Sequence, residues 1–310
     1  MRYATWTALA LLASAGSAAA REAASAGDAG AAWLAGLQDG VAKDLLAGRP
    51  LVIETHVALC DNRIIPCGNL GNGDRPDRNL YWATSGGMVG WMGRKGSGWK
   101  QVLKRGQGSG AEADVLELRV WHRRMTPGEA FRARGVSEPF DVYLVARAWR
   151  GTAIDSMLEA YVADLYGHTA RDLELPGGTV LHAGGAAHVV GYVGHNRWMD
   201  RDAYDFAAAA RAGGSAPRPK GTVTVACHTD DYLGADVPAA DRVPLLFTSD
   251  FMFAGTHAYE GAARAFAEGK NLKQIRATAT EQYAAGQKRD VNKIRGAFTN
   301  PADPRWRKRH

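Results

Sequence analysis

Cysteine is scarce in this 310-residue chain: there are three, at positions 60, 67 and 227. Also missing are most of the devices that decide a protein's class at a glance. After the first twenty residues no stretch approaches the roughly 18 uninterrupted apolar residues of a membrane-spanning helix, so no integral membrane contact is expected. No unit of about 20 to 50 residues repeats, which excludes solenoids and propellers. There is no HExxH pair and no closely spaced cysteine doublet, so zinc chemistry has no scaffold. The glycines at 87, 90, 93 and 96 lack the preceding strand and lysine-bearing turn of a phosphate loop. The Asp- and Asn-rich string at 61–79 departs from the EF-hand pattern and reads as a long turn after the first strand. No metal and no cofactor is expected. Excess charge is small too. A formal +6, much of it in the closing RWRKRH, describes a solvated surface rather than a nucleic-acid platform.

What is present begins with export. Residues 1–20, MRYATWTALALLASAGSAAA, carry one positive charge at Arg2, an apolar core from Ala4 to Ala13 and small residues at Ala18 and Ala20. That is the pattern of a secretory signal peptide cut after Ala20, and it predicts a soluble protein in the periplasm or outside the cell. In an oxidising compartment an odd cysteine matters. Cys60 and Cys67 bracket the turn DNRIIP and are the expected disulfide, which leaves Cys227 free. A lone strand cysteine is either a small buried hydrophobe or a reactive thiol.

Roughly 290 mature residues, nearly half of them hydrophobic, suit a single α/β domain. The chain divides into an N-terminal helical segment at 21–48, the α/β domain at 49–290 and a basic tail at 291–310, with a Gly- and Pro-broken linker at 211–221. Strand-type runs at 51–60, 114–125, 140–151, 186–196, 221–227 and 242–250 alternate with helical runs at 77–92, 153–167, 202–213, 257–269 and 271–289. This alternation predicts a three-layer sandwich, a mostly parallel sheet covered on both faces. His56 and His122 lie inside strand runs and read as sheet residues with satisfied partners.

Two strands end in reactive side chains, HVVGYVG on His195 and GTVTVA on Cys227. Ligands of open parallel sheets bind at the carboxyl ends of the strands, and a strand–helix–strand crossover sets two strands side by side. A thiol beside an imidazole is deprotonated near neutral pH and attacks a carbonyl carbon.

The order of these blocks, HVVGYVGHN and then VTVAC with its cysteine 32 positions after the histidine, resembles the caspase-like cysteine peptidases, the group of caspases, legumains and gingipains. In that group a hydrophobic run ending His-Gly precedes a hydrophobic run ending Ala-Cys. The resemblance implies a caspase-like topology and an endopeptidase that cleaves a peptide or protein substrate through an acyl-enzyme. Cys227 is then the nucleophile, His195 its acid–base partner, and the backbone N–H groups of Cys227 and Asn196 the oxyanion hole. Asn196 stands where the pattern has glycine, and asparagine can supply the backbone angles that glycine tolerates.

Around this pair, Asp200 reads either as a charge partner of His195 or as the N-cap of the next helix. Asp250 reads as a pocket residue or a cap. Asp230, Asp231, Asp250 and Arg197 are candidate substrate contacts of opposite sign, so the choice between acidic and basic substrates stays open. A second reading is a non-catalytic exported protein of the same fold that binds a peptide or cell-envelope component, with Asn196 marking a lost oxyanion hole.

Overall fold

The computed structural model describes residues 29–106, 113–201, 204–211, 218–253 and 255–302. The expected signal peptide, most of the 211–221 linker and the end of the basic tail lie outside the described residues.

Strand β1, Leu51–Ala58, is buried along its whole length, as befits the centre of a parallel sheet covered on both faces, the polar Glu54, Thr55 and His56 included. It pairs in parallel with β4, Phe140–Trp149, on one side and β7, Val189–Val193, on the other. Beyond β7 come β8, Lys220–Val225, and β9, Arg242–Thr248, again parallel. Beyond β4 the sheet turns antiparallel through β3, Val115–Met125, and β2, Lys100–Gly106. The short β10, Phe298–Thr299, closes the other edge antiparallel to β9, so eight strands run β10-β9-β8-β7-β1-β4-β3-β2. A hairpin of β5, Ala170–Glu174, and β6, Val180–Gly184, stands apart.

The period-2 alternation of the central strands feeds two cores. Odd positions such as Ile53, Val193 and Val225 pack with a helix at 29–46, here α1, and with α7, Thr256–Ala267, and α8, Leu272–Gln287. Even positions such as Val52, Val190 and Tyr192 meet α4, Ile154–Leu165, through Met157, Leu158 and Tyr161. Each fully buried side chain of this size contributes about 1.5–3 kcal/mol of transfer free energy. The fold is therefore α/β, a large, mostly parallel mixed sheet with helices on both faces.

Several local expectations change. Of the helix expected over 77–92, only α2, Met88–Met92, forms. Its N-cap is Gly87, where a Cβ would lie 2.8 Å from the Trp82 backbone. The residues before it turn instead around Asn79, whose buried amide bonds both the N–H and the carbonyl of Cys60. Strands β2 and β5 are largely solvent-facing, and β6, with Leu181, Ala183 and Gly184 buried, is only five residues long, so periodicity does not mark them. The expected basic tail starts inside the body: Phe298 and Thr299 are buried on β9, and a Cβ on Gly30 would meet Ala302 O at 2.1 Å, so the two ends of the described chain touch. A two-residue apolar edge strand among charged neighbours gives no sequence period. No described helix is long and apolar enough to cross a membrane.

Candidate active site

The ladder between β7 and β8 ends at Val193 opposite Val225, and Gly194 N–H extends it to Val225 O at 3.2 Å. His195 and Cys227 stand two residues past that last pair, one on each strand, at the carboxyl rim. Paired strands lie about 4.8 Å apart, so the two residues leave the sheet at matching, neighbouring positions.

Cys227 sits on a sharp strand-to-helix turn. The helix α6, Thr229–Leu233, follows after His228, which adopts left-handed angles of φ 50° and ψ 37°. For a residue with a Cβ this conformation costs roughly 1–2 kcal/mol. Three contacts hold it: His228 N–H to Asp250 O at 3.2 Å, its Nδ1 to Asp231 at 3.1 Å, and an edge-on approach of Phe251 at 4.5 Å. Beneath the turn, buried threonines lock the ends of β8, α6 and β9 together. Thr229 N–H donates to Thr248 Oγ1 at 3.1 Å, Thr248 N–H donates back to Thr229 Oγ1 at 2.9 Å, and Thr248 Oγ1 donates to Ala226 O.

The Cys227 thiol is unpaired and half-buried; the other two cysteines form the expected Cys60–Cys67 disulfide. Its sulfur accepts Met252 N–H at 3.4 Å and faces Met252 O at 3.5 Å. Tyrosines line its surroundings. Burial, and then the nearby Cys227, push the Tyr81 hydroxyl up to about 12, and the Tyr283 hydroxyl is raised chiefly by burial, with Cys227 adding to the shift.

His195 Nε2 lies 2.6 Å from Asp200 Oδ2. With the carboxylate as acceptor, Nε2 carries the proton, and Nδ1, which has no partner among the described residues, keeps its lone pair. Burial works to raise the Asp200 carboxyl, but His195 and Arg197 outweigh it and hold the group below the usual carboxylate range. Arg197 in turn bridges Asp200 at 3.4 Å and Asp155 at 3.1 Å, and Arg201 joins it on Asp155 at 3.1 Å. Asp200 thus pairs with the imidazole. Asp205, not Asp200, accepts an N–H in the first turn of α5, Phe206–Arg211, from Ala208 at 2.7 Å. The arginine expected as a substrate contact is engaged in this support.

Asn196 has φ −77° and ψ 92°, angles that need no glycine. Its buried amide donates to Cys227 O at 2.5 Å and accepts Trp198 N–H at 3.1 Å, stitching the end of one strand to the turn of the other. The backbone N–H groups of Cys227 and Asn196 have no acceptor among the described residues. Replacing Asn196 with alanine or glycine orphans the Cys227 carbonyl and is expected to cost about 1–3 kcal/mol in urea unfolding. An unchanged midpoint would show the stitch to be idle.

Asp250 is exposed, accepts Phe251 N–H at 2.8 Å and is no helix cap, because α7 begins at Thr256 with Gly255 as its N-cap. Asp231 serves His228, and Asp230 lies in the first turn of α6. The sequence reading missed Tyr81, Tyr283, Met252 and the threonine lock. Thr224, Thr229 and Thr248 were visible near strand ends, whereas Tyr81 and Tyr283 carry no local signal.

One acidic cluster also has metal-like spacing: Glu54, His56 and Asp164, with ligand atoms within 4.8 Å of one another. The donor set does not suit a cation. Trp149 Nε1–H donates to His56 Nδ1 at 3.0 Å, which puts the other ring proton on Nε2, 2.8 Å from Asp164. Asp164 also takes Arg171 at 2.6 Å, and Glu54 takes Arg147 at 2.5 Å and Gly184 N–H at 3.2 Å. His56 and His122, the latter 2.7 Å from Asp141, are satisfied sheet histidines.

Comparison with known protein families, with curated proteins and with solved structures finds no match to this chain.

Proposed function

We propose that this protein is an exported cysteine hydrolase of caspase-like topology, an endopeptidase working through Cys227 and His195. The observation that carries the reading is the emergence of an unpaired, half-buried thiol and an imidazole with an open Nδ1 at matching rim positions of two paired parallel strands. In the reaction, His195 Nδ1 takes the thiol proton and the Cys227 sulfur attacks the substrate carbonyl carbon. The resulting oxyanion lies on the N–H group of Cys227, because Asn196, expected as the second donor, is fully buried and out of reach of the substrate. The imidazolium returns its proton to the leaving amine as the C–N bond breaks. Water, deprotonated by His195, then opens the thioester and restores the thiol. Asp200 holds the ring with Nδ1 open. The residue 1–20 pattern and the Cys60–Cys67 disulfide support export. The non-catalytic reading rests on Asn196 spoiling the oxyanion hole, and the amide's commitment to Cys227 O and Trp198 N–H weakens that motive.

Iodoacetamide tests the pair directly, because Cys227 is the one cysteine outside the disulfide. Alkylation of Cys227 is expected to persist below pH 7, and His195→Ala is expected to move the profile toward the ordinary thiol midpoint of about 8.5. A midpoint near that value in the unsubstituted protein sinks the dyad.

A further inference from the structure

At the amino ends of the same strands, on the rim opposite Cys227, lies a cavity of about 500 Å³, a size typical of small-molecule sites. Four segments build it: the turn from α1 into β1, strand β6 of the hairpin, the residues just ahead of β7, and Arg218 just ahead of β8. One wall is apolar, formed by Pro50, Val52 and Val180, and Val180 is left 45% exposed. The other wall is a fixed polar array. Buried His188 accepts Val52 N–H on Nδ1 at 3.1 Å, which places its proton on Nε2, 3.0 Å from Asp44. Arg49 and Arg218 also bond Asp44.

The charges in this array do not cancel. Burial, above all, lowers the His188 imidazole and keeps it neutral. Burial of Asp44 is outweighed by its bonds to His188 and Arg49 and by the charge of Arg218, which hold its carboxyl well below the ordinary range. Two guanidiniums therefore share one carboxylate. Arg218 spends its second amino group on Ala186 O, whereas Arg49 engages Asp44 through Nη2 alone and leaves Nε and Nη1 without partners among the described residues. His182, also at the cavity, is matched by Asp172 at 2.7 Å.

We infer that this cavity is a second ligand site, which takes a small organic monoanion with its apolar body on Pro50, Val52 and Val180 and its charged end on Arg49. The site is independent of the chemistry at Cys227. The strands that separate the two rims are six or so residues long, roughly 20 Å at about 3.3 Å per residue.

The probe is anilinonaphthalene sulfonate, an aromatic monoanion, titrated into the full chain and followed by its fluorescence. One saturable site is expected. Octanoate should displace the dye, while octanol and octylammonium should do so at least about tenfold less well, the loss of one charge-assisted hydrogen bond. Arg49→Gln and Val180→Asp should each weaken dye binding by at least about tenfold in protein that a thermal melt shows to be folded, Arg49→Gln giving up one of the three side-chain bonds to Asp44 and Val180 being substantially exposed. Cys227→Ala should leave it unchanged. Absence of a saturable site, displacement by octanol as effective as by octanoate, or full affinity in both rim variants overturns the proposal.

Discussion

Replacing Cys227 with alanine is expected to remove peptide hydrolysis, by a factor on the order of 10⁴ to 10⁶, while the fold persists. The size of the loss follows from chemistry. Without sulfur no acyl-enzyme forms, and what remains is the modest help of the Cys227 N–H and of binding. The fold persists because the sulfur's polar contacts among the described residues are two long ones, at 3.4 and 3.5 Å, both to Met252, and because the turn is held from below by Thr229 and Thr248. A peptide-cleavage assay beside a thermal melt separates the two effects. Hydrolysis that survives the substitution would refute the assignment. Asp200→Asn provides a finer reading: as a positioning residue, its loss should move the alkylation pH profile of Cys227, whereas a merely structural carboxylate would leave the profile in place.

The largest effect on stability is expected at Asp164, far from the rim. Its side chain is sealed from solvent and receives His56, Arg171 and Thr169. Asp164→Ala leaves His56 Nε2–H and the Arg171 guanidinium without their acceptor, one of them fully buried, and breaking such a buried pair costs about 3–5 kcal/mol. The pH dependence has a definite sign. Burial would raise the Asp164 carboxyl, but its bonds to His56 and Thr169 and the charges of His56 and Arg171 lower it below its ordinary value of 3.8. Its contribution is therefore fully present above pH 3.8 and is lost as pH falls through the depressed native value. Urea midpoints measured at neutral pH and on the acid limb should show Asp164→Asn both weaker at pH 7 and flatter in acid. A neutral-pH loss below about 1 kcal/mol would mean that the network adds little.

How far sequence reasoning reached depended on distance along the chain. The Cys60–Cys67 disulfide was legible because a turn of six residues already brings the two ends together. The central strands and the amphipathic α4 were legible because burial on a face leaves a period of 2 or 3.6 that needs no knowledge of partners. Adjacency of β7 and β8 followed from a rule about crossovers. The rule failed to show where polar side chains close: the same local pattern made Asp200 a helix cap or an imidazole partner, and only the position of His195 decided between them.

What the sequence determined by itself, then, was the alternation of strands and helices, the disulfide and the two chemically reactive residues that end neighbouring strands. Tertiary structure alone decided the rest: that Asn196 stitches Cys227 instead of crowding it, that Arg197 supports Asp200, that Thr229 and Thr248 hold the turn, and that an uneven pairing of arginines with Asp44 lies at the far rim. Periodicity is written in successive residues, whereas a hydrogen bond between residues far apart in the chain, or a charge left over between two segments, exists only once the sheet has set them side by side.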